Sequence, residues 1–76
     1  MTITEFVRGR RQRWEKLEAL LQQIERVSLA KLDRKTLHEF SGLYRACTSD
    51  LAYAQTYFDG TTLVQFLHQL VGRAHH

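Results

Sequence analysis

Between Ile3 and Val27, apolar residues recur at alternating steps of three and four. Ile3, Val7, Trp14, Leu17, Leu21 and Ile24 make the seam, Arg10 fills its one polar slot, and Phe6, Leu20 and Val27 flank it. That spacing is one face of a long amphipathic helix. An apolar stripe of this length must be buried against another element, and helix-on-helix packing is one of the few stable ways to do it. Thr2-Ile3-Thr4-Glu5 reads as a capping box that starts the helix, with Thr2 at the N-cap and Glu5 three residues later.

The rest of the chain repeats the pattern. Ser28 to Lys31 lowers the helical signal, and Leu29 and Leu32 are expected to fold back onto the core. Asp33 is a plausible next N-cap, with Thr36 and its capping-box partner Glu39 as the alternative. The second seam is Leu37, Phe40, Tyr44, Cys47, Leu51, Ala54 and Phe58. Asp59-Gly60 is a turn signal. Thr61 or Thr62 then caps a third helix with Leu63, Leu67, Leu70 and Ala74 on its seam, widened by Val64, Phe66 and Val71.

These signals predict an all-α fold, an antiparallel three-helix bundle with helices over about 3–27, 34–57 and 62–74. If the first two helices pair about a turn near Ala30, residues whose numbers sum to about 61 face each other. Trp14 then meets Cys47, Leu17 meets Tyr44, and Arg10 lies beside Asp50 and Leu51. The expected core is Trp14, Leu17, Leu21, Tyr44, Cys47, Leu51, Leu67 and Leu70. Arg10 and Asp50 form a structural polar pair, because an unpaired charge at a partly buried bundle end costs several kcal/mol.

Seventy-six residues allow a single domain, with a core small enough to favour a partner. A lone cysteine rules out an internal disulfide and fits a reducing compartment. No run approaches the roughly 20 apolar residues that span a bilayer. Thr2 to Val7 is no signal peptide, since Glu5 interrupts it and no apolar region follows. Gly9, Gly42 and Gly72 fall on outward positions. They are either free sites on a solvated face or places where a partner's backbone comes close.

The residues offer no catalytic constellation, no cofactor site and no metal site. Cys47 lies on a seam, where a thiol behaves as a small hydrophobe. His68 and His75 are two helical turns apart, too far to share a metal from adjacent turns. His75-His76 could bind a metal weakly, or it is ordinary sequence or the stub of a tag. Glu15 and Glu18 flank Lys16 on a surface and suit ion pairing in water. The strongest functional signal is the basic cluster Arg8, Arg11, Arg13 and Lys16, the candidate partner-binding residues. Arginine suits phosphate. No aromatic is interleaved for base stacking and no helix-turn-helix signature is present, which disfavours nucleic acid.

Several stretches are similar to the N-terminal segment of the stage II sporulation protein M family of bacterial integral membrane proteins. They are Phe6-Val7-Arg8, Arg10-Arg11 and Arg13-Trp14-Glu15-Lys16-Leu17-Glu18, then Leu43-Tyr44-Arg45 and Asp50-Leu51-Ala52. The last is Leu67-His68-Gln69-Leu70-Val71-Gly72-Arg73-Ala74-His75. Gln12 stands where that family usually has proline, His68 where asparagine is common, and Thr61-Thr62 near a usual proline.

The resemblance implies a natural chain that continues past His76 into several transmembrane helices. Residues 1–76 would be its soluble, cytoplasmic N-terminal domain, held at the cell membrane. The family's sporulation member works in a membrane complex with peptidoglycan-degrading partners. The implied function is therefore non-catalytic interaction or scaffolding with a protein partner. A homo-oligomer, most simply a dimer, is also expected. Two alternatives stand beside it: an autonomous helical dimerisation module, and a binder of nucleic acid or anionic lipid through the first-helix arginines.

Overall fold

The computed structural model describes residues 1–75; His76, and with it half of the His75-His76 pair, lies outside the described residues. Helix α1 covers Ile3–Arg26, α2 covers Arg34–Tyr57 and α3 covers Thr62–His75. No strand occurs among the described residues. The chain is an all-α antiparallel three-helix bundle. Each helix lies within about one residue of the span expected from its apolar spacing.

Local chemistry sets the ends. The Thr2 hydroxyl accepts from the Glu5 amide at 3.1 Å, and the Glu5 carboxylate accepts from the Thr2 amide at 2.8 Å. Both halves of the capping box are formed. Asp33 takes the second cap, accepting from the Thr36 amide at 2.7 Å. Both carboxylates are held below their ordinary pKa. For Glu5 the chief cause is the Thr2 amide, and for Asp33 it is Thr36, hydroxyl first and then amide. Thr61 precedes α3, but its hydroxyl turns back and donates to the Phe58 carbonyl at 2.6 Å. Gly60 completes that turn at φ +80°, a conformation that costs glycine little and other residues more.

Three stretches of the apolar pattern settle differently from the sequence reading. Phe6, expected at the flank of the first stripe, is 0 % exposed and central, whereas Ile3, expected in the seam, is 37 % exposed. Ile3 lies in the first turn of α1, whereas Phe6 is one turn further in and is covered by the Tyr53 and Phe58 rings of α2. Tyr44 and Leu51, expected in the core, are half-buried and pack against it from the side. Leu32 folds back as expected, but Leu29 stays about half exposed in a 3-10 turn over Leu29–Lys31. The other expected core residues, Trp14, Leu17, Leu21, Cys47, Leu67 and Leu70, are buried in one cluster. Phe6 joins them, stacked on Tyr53 at 5.0 Å and edge-on to Phe58 at 5.4 Å.

The contacts fix the arrangement. Phe6 lies against Tyr53 and Phe58, and Arg10 against Asp50, so α1 and α2 are antiparallel. Phe66 meets Trp14, and Arg73 reaches Glu18 and Glu25, so α3 runs parallel to α1. The 14 residues of α3 span about 21 Å, against about 36 Å for the 24 of α1. The bundle is therefore unequal, and its two long helices protrude past the end of α3.

Candidate docking surface

Asp50 is the polar centre of the bundle. It sits on α2 and is 4 % exposed, the one charged residue in the buried interior among those described. Arg10 donates from Nε to its Oδ1 at 3.2 Å, the pairing read from helix register. Trp14 donates from Nε1 to Oδ2 at 2.8 Å, and Arg13 Nη1 lies 3.6 Å from the same oxygen. The Arg10 guanidinium also lies over the Phe6 ring, 4.4 Å from its centroid, a favourable site for a cation. No buried side-chain nitrogen or oxygen among the described residues lacks a partner.

This hub divides the basic cluster. Arg13, expected to face a partner, also lies within ion-pair distance of Asp50, while its side chain stays 41 % exposed. Arg8, Arg11 and Lys16 remain exposed and form no ion pair among the described residues. Arg10 and Asp50 keep the structural role given to them.

A second ionic cluster has no local sequence signal. Arg73 on α3 donates from Nη1 to both Glu18 oxygens, at 3.0 and 2.9 Å, and from Nη2 to Glu25 at 3.1 Å. These bonds, Glu18 first, raise its already high pKa. The cluster clamps the end of α3 onto α1. Only the packing of α3 brings together residues so distant in sequence.

Beside the clamp, α1 and α3 part to leave an open trough. Ile3, Val7 and Trp14 from α1 and Leu63 and Phe66 from α3 line its base, with Arg8, Arg11, Glu15 and Glu18 along the α1 side. Phe66, expected to widen the buried face of the third helix, is 46 % exposed here. It stands 6.0 Å from the Trp14 ring. The trough encloses about 1250 Å³, more than the roughly 300–1,000 Å³ of small-molecule pockets. An open apolar groove with charged edges has the form that accepts an amphipathic helix.

The remaining reactive groups are placed away from it. Cys47 is buried, and burial, followed by the nearby Asp50 charge, pushes its thiol up to about 11, with Arg13 opposing. At neutral pH it is a protonated thiol. His75 Nδ1 lies 3.1 Å from the Tyr44 hydroxyl. Among the described residues no three histidine, cysteine or acidic side chains are grouped to hold a metal. A Cβ added at Gly9, Gly42 or Gly72 would meet nothing within 4 Å, so no neighbour within the chain requires glycine there.

A family model described as "Domain of unknown function (DUF8413)" matches residues 4–76, nearly the whole chain. The chain belongs to this family. Neither a curated protein nor a solved structure matches it. The family's description carries no activity.

Proposed function

We propose that this is a non-catalytic interaction domain, the cytoplasmic part of a membrane protein similar to the stage II sporulation protein M family. It works as a scaffold that docks a protein partner within a membrane-associated complex. The observation that carries the reading is the trough: exposed Phe66 and Ile3 beside Arg8 and Arg11, which have no ion-pair partner among the described residues.

Its orientation favours protein over lipid. Arg73 lies beside Glu25, at the opposite end of α1 from Arg8. The 17 positions between Arg8 and Glu25 correspond to about 25 Å along the helix axis. A membrane segment following α3 would leave the arginine end of the trough facing away from the bilayer. No helix among the described residues is long and apolar enough to cross a membrane. The reading therefore assigns the spanning segments to other parts of the native protein. The basic character of the domain suits the cytoplasmic side.

The native gene product is expected in the membrane fraction, released by detergent and retained through carbonate or high salt. Reversing Arg8 and Arg11 to Glu should leave its binding to anionic vesicles unchanged. A product found wholly in the soluble fraction would remove the membrane reading. A large, salt-dependent loss of vesicle binding would instead assign the arginines to lipid headgroups, since phosphate contacts weaken with screening.

A further inference from the structure

We infer that the occupant of the α1–α3 trough is a second copy of this chain, related by a two-fold axis, with the two α1 helices antiparallel. The inference rests on the trough being a docking surface, as proposed above, and it names the partner.

Charge complementarity along a single helix face identifies the occupant. Arg8 and Arg11 lie on one side of the trough's midpoint, and Glu15 and Glu18 lie on the other. Turning a second α1 end for end about an axis level with Arg13 sets Arg8 against the second copy's Glu18 and Arg11 against its Glu15. The same register sets Val7 against Ala19, both of which line the trough. Every pairing occurs twice, as an isologous two-fold contact requires.

A parallel arrangement would place like charges together, which is destabilising. A uniformly acidic partner helix would meet Glu15 and Glu18 as well as the arginines. Only an occupant with the reversed charge order satisfies the whole edge, and α1 itself has that order. Glu18 is already held by Arg73, yet its side chain is 38 % exposed and retains room for a second donor. Phe66, 46 % exposed near the middle of the trough and 6.0 Å from the Trp14 ring, supplies an accessible aromatic of the kind that dominates interface energies.

Arg11 and Glu15 provide the test, because both are exposed and neither holds the fold together. Sedimentation equilibrium should show a wild-type dimer. Arg11→Glu and Glu15→Arg, each alone, place like charges together twice per dimer and should raise the dimer Kd about tenfold or more. An equimolar mixture of the two variants makes both contacts opposite in sign, so it should recover dimer, and mass spectrometry should find it heteromeric. Unchanged helical melting of each variant separates loss of dimer from loss of fold. A wild-type chain that stays monomeric at high concentration overturns the inference, as does a mixture that fails to recover the dimer. The membrane fractionation described above does not depend on dimerisation, so the two readings fail separately.

Discussion

Phe6→Ala is expected to cost about 3–5 kcal/mol, the range for removing a fully buried aromatic ring. A domain of this length has a total stability of about 4–11 kcal/mol. The variant should therefore lose much of its folded population or melt roughly 15–30 °C lower. The size of the effect follows from how many groups depend on one ring. Phe6 is 0 % exposed. It stacks on Tyr53 at 5.0 Å, meets Phe58 edge-on at 5.4 Å and tilts against Trp14 at 5.9 Å. It also lies beneath the Arg10 guanidinium. Its loss opens a cavity where α1 meets the end of α2 and removes the surface that orients Arg10. Phe6→Leu keeps most of the volume and should cost far less. Urea unfolding of the three proteins checks the order, and a Phe6→Ala cost below about 1 kcal/mol would contradict it.

Asp50→Ala is expected to cost about 3 kcal/mol, because it leaves a buried indole N–H without an acceptor and two arginines without their counter-charge. Asp50→Asn keeps an acceptor for Trp14 Nε1 but turns an amide donor or a neutral oxygen toward Arg10, so it should fall between Ala and wild type. The discriminating measurement is a double-mutant cycle with Trp14→Phe, which removes the donor and keeps an aromatic ring. Coupling of about 1–2 kcal/mol between the two sites is expected from the 2.8 Å bond. Strict additivity would show that Asp50 acts through the arginines alone.

These two residues also show how much of the fold is legible in the sequence. Helix register placed Arg10 beside Asp50, because facing positions in an antiparallel pair depend only on the turn. The indole bond to the same carboxylate depends on a side-chain direction that periodicity does not carry. A strict heptad puts Phe6 at the flank, and the Tyr53 and Phe58 rings of α2, which periodicity does not carry, bury it. The caps at Thr2 and Asp33 were legible because each depends on residues three apart. The Arg73 clamp and the trough were not, because both depend on where α3 lies across α1. That placement comes from the packing of three wide apolar faces and from no local motif. Proximity in sequence groups Arg13 with Arg8 and Arg11, but of the three only Arg13 lies near the Asp50 carboxylate.

The account turns on the trough being occupied in the working protein. The most direct measurement places a photo-reactive phenylalanine analogue at Phe66 of the protein in cells, with the same group at exposed Gln55 on α2 as the control. The account predicts a discrete protein cross-link from position 66, to a second copy of the chain, and none from position 55. Cross-links to lipid alone at position 66, or the same pattern from both positions, would contradict it.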